Sequence, residues 1–122
     1  MDTAGETGEL NVSVQQVDRA VVLRPAGELD HDTADALRSA LDAALRADVR
    51  QVVIDCAALE FCDSTGLNLL LRARLTAESG GRRIVIAAPG PMVSRLLEIT
   101  GAGEVFEVFP TADEALAAGD PG

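Results

Sequence analysis

The run Phe61-Cys62-Asp63-Ser64-Thr65-Gly66-Leu67, FCDSTGL, lies where the hydrophobic period of the chain changes. Ahead of it, Val52, Val53 and Ile54 form a short unbroken apolar run ending at Asp55, as expected of a strand covered by helices on both faces. Behind it, Leu67, Leu70, Leu71, Arg74 and Leu75 follow helical spacing up to Gly80 and Gly81, where glycine can take the left-handed conformation that ends a helix. FCDSTGL is therefore the turn of a strand-helix unit. Its serine has three readings: a nucleophile, a helix cap, or a switch.

Working outward, the same alternation of periods organises the rest of the chain. Leu10, Val12 and Val14 alternate with polar residues, QVDRA makes a turn, and Ala20 to Arg24 returns as the second strand of a hairpin. After a turn-like PAGELDHD, the residues Ala36, Leu37, Ala40, Leu41, Ala44 and Leu45 fall on one face of a helix spanning Thr33 to Ala47. Beyond Gly81, Ile84 to Ala88 reads as a strand, PGP opens a helix from Pro91 to Thr100 closed by Gly101, and Val105 to Phe109 reads as the last strand. Thr111 and Glu114 spell a Thr-x-x-Glu capping box at the head of a final helix, Ala112 to Ala118. A hairpin, a helix and three strand-helix units call for an α/β fold: a mixed sheet of four to five strands, the later ones parallel, with about four helices. Residues 9–118 make one domain, and residues 1–8 and 119–122, rich in Gly and acids, read as a disordered start and a flexible tail.

Composition excludes several function classes. The 122 residues, 48% of them apolar, suffice for one packed core, and with three Phe, no Trp and no Tyr that core is aliphatic. A formal charge of −10 repels a phosphate backbone, so nucleic acid is not an expected partner. No apolar run is long enough to span a bilayer and the polar N-terminus is not a secretion signal, so the expectation is a soluble, cytoplasmic protein with no membrane partner. Cys56, Cys62 and the single histidine, His31, supply neither a disulfide framework nor a zinc site. Both cysteines are expected to be reduced and mostly buried, and no metal or cofactor is expected.

The catalytic readings of Ser64 fail on spacing. A nucleophile elbow requires glycine two positions either side of the serine; Gly66 fits, but Cys62 fills the earlier slot. His31 is the only imidazole, and nothing in the sequence brings it to Ser64. A phosphate-binding loop of the nucleotide hydrolases requires a lysine, and all ten basic residues here are Arg. The cap reading is sound, since Asp63 or Ser64 at a helix start accepts an amide hydrogen bond worth about 1 kcal/mol. One cap needs one acceptor, however, and Asp63, Ser64 and Thr65 offer three, followed by a glycine that weakens a helix by about 1 kcal/mol relative to Ala. We read the surplus as a free Ser64 hydroxyl at the positive end of a helix dipole, suited to phosphate, with Gly66 keeping its approach open and Thr65 less free.

FCDSTGL resembles the Asp-Ser-Ser/Thr-Gly-Leu segment of the anti-sigma factor antagonists, the STAS-domain family. GELDHDTADAL, Gly27 to Leu37, is similar to that family's Gly-Glu-Leu-Asp stretch before its first helix, and the resemblance covers Leu10 to Ala118. It implies the STAS fold and a regulatory, non-enzymatic protein. In that family the serine directly after the aspartate is phosphorylated by a partner that is both anti-sigma factor and serine kinase; Ser64 matches that position. The resemblance further implies a phosphoserine phosphatase that resets the switch, a monomeric state, and a partner surface made of Asp30, His31, Asp32, Thr33, Asp63, Ser64, Thr65, Gly66 and Leu67. From the residues alone, Asp30 to Asp32 are equally well N-terminal acids favoured by a helix dipole. Cys62, where larger apolar residues are usual in the family, is the one departure. The competing reading keeps the fold without the switch: a STAS module that binds a nucleotide or small ligand, or scaffolds a stress-signalling complex.

Overall fold

The computed structural model describes residues 9–118. The expectations for residues 1–8 and 119–122 lie outside the described residues. The elements run β1 (Leu10–Val17), β2 (Ala20–Leu29), α1 (Ala34–Arg46), β3 (Gln51–Asp55), β4 (Leu59–Cys62), α2 (Ser64–Ser79), β5 (Arg83–Ala87), α3 (Pro91–Thr100), a 3-10 turn (Ala102–Glu104), β6 (Val108–Phe109) and α4 (Ala112–Ala118). The sheet is mixed and six-stranded, in the order β1-β2-β3-β5-β6, with β4 paired to β2. Only β1 is antiparallel to its neighbour.

The strand β2 is longer than its hydrophobic run. Its first half, Ala20 to Leu23, pairs with β3, and its second half, Gly27 to Leu29, pairs with β4. The turn expected at PAGELDHD thus begins only after Leu29, and the hairpin loop shrinks to Asp18 and Arg19 between the paired Val17 and Ala20. In β1, Asn11, Ser13 and Gln15 lie on a solvated face of the sheet, so that strand continues past its apolar signal to Val17. The strand β4 was not expected, which is why the sheet has six strands and not four to five. Its LEFC sequence is too short to show a period, and it forms because β2 offers it a free edge. The opposite edge is shorter than expected, since Val105 to Glu107 are non-strand and only Val108 and Phe109 pair with β5.

Residue parity along the central strands divides the core into two layers. Val21, Leu23, Val52, Ile54, Ile84 and Ile86 point toward α1, α2 and α3, joined by Leu37, Leu41, Leu67, Leu70 and Leu97. Val22, Val53, Val85 and Ala87 point the other way and are covered by Ala112 and Ala115 of α4. The three core strands are buried on both faces, as their unbroken apolar runs predict. Of the capping box before α4, the Thr111 half is formed: the Glu114 amide donates to Thr111 Oγ1 at 3.1 Å.

One arginine ties the lower ends of α1 and α2 to the sheet. Just beyond the α2 C-terminus, the Arg82 guanidinium donates to the carbonyls of Leu45, Ala47 (3.1 Å) and Val49 (3.0 Å) around the end of α1, where the Ala47 carbonyl also accepts from the Val49 amide at 2.9 Å. Replacing Arg82 by Ala leaves these carbonyls without their charged donor. At about 1.5–3 kcal/mol for a hydrogen bond to a charged group, and with water recovering part of the loss, Arg82→Ala should cost about 2 kcal/mol in urea unfolding. A cost below about 0.5 kcal/mol would show the staple to be energetically idle.

Candidate functional site

Two loops meet at the carboxyl ends of β2 and β4. Leu29 and Cys62 are paired across the parallel strands, and the Asp63 amide donates to the Leu29 carbonyl at 3.2 Å. The residues that follow each strand, Asp30 and Asp63, are therefore neighbours on strands about 4.8 Å apart. The structure thus brings the two sequence motifs, GELDHDT and FCDSTGL, to one rim of the sheet.

Gly27 makes this possible. Its φ of +115° is closed to most side chains, and a Cβ there would lie 2.3 Å from the Glu9 carbonyl oxygen. The register of β2 against β4 shifts between Gly27 and Glu28, and the Gly27 amide donates to Ala58 O in the turn that separates β3 from β4. Below this bulge, Arg24 Nε pairs with the mostly buried Asp55 Oδ2 at 3.0 Å, and Asp55 Oδ1 accepts from the Ala57 amide at 3.0 Å. The end of β3 is thereby held while the chain steps sideways into β4.

At the head of α2 the cap is Asp63, whose Oδ1 accepts from the Gly66 amide at 3.0 Å. Ser64 is the first helical residue, is exposed, and its hydroxyl has no hydrogen-bond partner among the described residues. Thr65 is half-buried, so of the two hydroxyls Ser64 is the more accessible. The amides of Ser64 and Thr65 precede the first intrahelical bond and lie at the positive end of the helix. Gly66 does not serve the approach to Ser64, as its sequence position suggests. It is buried, and an added Cβ would meet Leu29 Cγ at 2.5 Å and Cys62 Sγ at 3.1 Å. The glycine lets α2 sit down on β2 and β4.

The loop before α1 is built by its own side chains. Asp30 Oδ1 accepts from the amides of Asp32 (2.9 Å) and Thr33 (3.2 Å), while Thr33 Oγ1 accepts from the Asp30 amide and donates to Glu28 O at 2.7 Å. Thr33 is buried and its hydroxyl fully used, and Leu67 is 4% exposed in the core. Both therefore position the rim without forming its surface. His31 and Asp32 are exposed at the loop tip, with Asp30 half-buried beneath them. No hydrogen bond joins His31 to Ser64 among the described residues. Among the same residues no group of three His, Cys, Asp or Glu is placed to hold a metal, and no helix is long and apolar enough to cross a membrane. The apolar residue the sequence did not single out is Phe61, 39% exposed on β4 next to the cap. Leu69 and Leu71 are half-buried.

This arrangement has known counterparts. The STAS domain model matches residues 11–115. The chain belongs to the STAS-domain family. It is 32% identical over 111 residues to an anti-sigma F factor antagonist of Paenibacillus polymyxa, covering 89% of this chain and 92% of that one. A crystal structure of an anti-sigma factor antagonist from Mycobacterium paratuberculosis superposes with a TM-score of 0.83 at 32% identity, over 90% of this chain and 93% of that one. SpoIIAA, the Bacillus cell fate determinant, matches in its unphosphorylated form with a TM-score of 0.76 at 28% identity, over 87% and 92% of the two chains. Its phosphorylated form matches with a TM-score of 0.71 at 27% identity, over 88% and 97%.

Cys56 and Cys62 are free and buried. Burial, then the neighbouring Asp63 carboxylate, pushes the Cys62 thiol up to about 12; burial, then Cys62 and Asp55, does the same for Cys56. Both stay protonated thiols at neutral pH, and Ellman's reagent should titrate neither in the native protein at pH 8 and both in guanidinium; a fast native reaction would contradict the packing. In a folded protein whose thiols resist ionisation, the unfolded state releases protons first. Stability should therefore fall as pH rises above the ordinary thiol value of 9.0 toward 12.

The division of labour at the head of α2 is testable by thermal or urea unfolding. Asp63→Ala should cost about 1 kcal/mol, the value of a lost cap. Ser64→Ala should lie within about 0.5 kcal/mol of the parent. Gly66→Ala should destabilise by about 1–3 kcal/mol through overpacking, even though Ala favours a helix by about 1 kcal/mol. A stabilised Gly66→Ala protein would refute the steric account.

Proposed function

We propose that this protein is an anti-sigma factor antagonist. Unmodified, it binds an anti-sigma factor that is also a serine kinase, and so frees a sigma factor; phosphorylation of Ser64 ends that binding, and a phosphoserine phosphatase restores it. The observation that carries this reading is the unemployed, exposed hydroxyl of Ser64 on the first residue of α2, with the cap supplied separately by Asp63. A serine needed only for capping would be accepting that bond itself. The names of the relatives support the antagonist role, and the two solved forms of SpoIIAA support a phosphorylation switch in this family.

The partner surface is the rim formed by His31, Asp32, Asp63, Ser64 and Thr65, with Asp30, Thr33, Gly66 and Leu67 holding it in shape. Phosphate brings about −1.5 to −2 charges to Ser64, beside Asp63 and in a chain already at −10. Against one carboxylate of the partner at about 6 Å and an effective dielectric near 20, the repulsion is a few kcal/mol before salt screening. Since about 1.4 kcal/mol is tenfold, affinity falls by about 10- to 1,000-fold without refolding. On this protein's own side, the free amides at the head of α2 accommodate the phosphate. The protein itself performs no chemistry in this scheme.

The test is a pull-down from the source organism's lysate with parent protein, Ser64→Ala and Ser64→Glu, repeated with enzymatically phosphorylated parent. The expected result is an ATP-binding anti-sigma factor, identified by mass spectrometry, held by the Ala bait and lost from the Glu and phosphorylated baits. If every bait holds the same proteins, Ser64 is not a switch, and a scaffold or ligand-binding STAS module becomes the better reading.

A further inference from the structure

Beside the switch, α1 and α2 leave an open groove of about 260 Å³ lined by Arg38, Thr65, Asn68, Leu69 and Arg72. Thr65 and Arg72 are seven residues apart, two turns on one face of α2, and Arg38 faces them from α1. Two arginines in one groove run against the composition, which has twenty acidic residues to ten basic ones.

The arginines differ in how far they are committed. Arg19, Arg24, Arg74 and Arg83 pair with Asp48, Asp55, Glu78 and Glu107, and Arg82 is spent on the α1 carbonyls. Arg46, Arg50 and Arg95 are exposed and, among the described residues, unpaired, but none of them lines the groove beside Ser64. In the groove Arg38 is answered by Asp35, one turn earlier on α1. Arg72 is exposed, and no described residue pairs with it. The groove therefore offers one uncompensated guanidinium, the Asn68 amide, and the half-buried Leu69 as an apolar floor. A single planar cation of this kind matches one carboxylate in bidentate geometry. The several charges of a nucleotide polyphosphate would find one free partner and a neighbouring Asp35.

We propose that this groove docks an acidic segment of the anti-sigma partner, a carboxylate pairing with Arg72; the inference rests on the function proposed above. Eight residues of helix separate Ser64 from Arg72, about 12 Å at 1.5 Å per residue. That exceeds the Debye length of about 8 Å at physiological salt, so a phosphate on Ser64 leaves the Arg72 contact largely intact. The two sites then have separate roles. Ser64 decides whether the complex holds, and Arg72 raises the encounter rate and affinity of both forms alike.

The experiment measures binding of the purified anti-sigma factor by surface plasmon resonance to parent, Arg72→Ala and Arg72→Glu proteins, each unmodified and phosphorylated, at two salt concentrations. Arg72→Ala should weaken both forms about 5- to 20-fold, mostly through the association rate, and flatten the salt dependence, with Arg72→Glu weaker still. The ratio between unmodified and phosphorylated affinities should stay within about twofold of the parent's, and unfolding curves should coincide because Arg72 is exposed. Restoration of Arg72→Glu binding by a Glu→Arg or Asp→Arg change on the partner identifies the carboxylate. If the parent binds the anti-sigma factor and Arg72→Glu binds equally well, the groove proposal is wrong and the switch survives. If the parent binds no anti-sigma factor in either form, the functional reading fails and takes this inference with it. Displacement of the partner from the unmodified parent by ATP, with the amide signals of Asn68 and Arg72 shifting, would assign the groove to a nucleotide instead.

Discussion

Leu29 and Cys62 lie side by side on parallel strands, and the hydrogen bond from the Asp63 amide to the Leu29 carbonyl closes the pair at its upper end. The geometry of the site follows from that contact. It places the Asp30 loop against the head of α2, and it requires β2 to serve two partners in succession, β3 and then β4. The step between them is made at Gly27, where the backbone adopts a positive φ and Glu9 approaches too closely for any side chain. Gly66 serves the same contact from above, since α2 can rest on Leu29 and Cys62 only where a Cβ is missing. Both glycines in the two motifs are there for close packing.

On this frame the side chains of the rim separate into those that hold and those that face outward. Asp30 and Thr33 bond to each other and to the backbone of their own loop, and Asp63 bonds to the first turn of α2. With the capping work done by these residues, His31, Asp32 and Ser64 are left for solvent or a partner. A helix start whose cap comes from the preceding residue leaves its first hydroxyl free while its amides still favour an anion. In the function proposed above, a phosphate on Ser64 would meet the positive end of α2, and the cost of its charge would fall on the acidic surface that docks opposite. The groove between α1 and α2 carries the opposite sign a short distance away, beyond the reach of screened repulsion.

The helices were legible because their signals are local. Pro91 and Gly101 bracket α3, Thr111 heads α4, and the span Thr33 to Ala47 expected for α1 ends within a residue of the observed helix at each end. The buried strands β3 and β5 were legible as unbroken apolar runs, and Ser64 stood out because three potential caps exceed what one helix start requires. The second half of β2 and all of β4 were not, because PAGEL and LEFC carry no clean period of two; Pro25 to Gly27 become strand by pairing with β1, and Gly27 to Leu29 and β4 by pairing with each other. The last strand was overestimated for the converse reason, since Val105 and Phe106 have strand-like side chains but Phe106 is buried by the turn after α3.

The sequence by itself therefore determined the order and type of most elements, the aliphatic core, and the identity of the serine at the head of α2, all of which depend on residue type and short-range spacing. Tertiary structure alone decided that Asp63 is the cap, that Gly66 is a packing residue, that Thr33 is internal, and that Arg38 and Arg72 share a groove. Those outcomes depend on which strand lies beside which and on distances between residues far apart in the chain. Such contacts are set by the pairing of Leu29 with Cys62, thirty-three positions further on, and no local pattern encodes it.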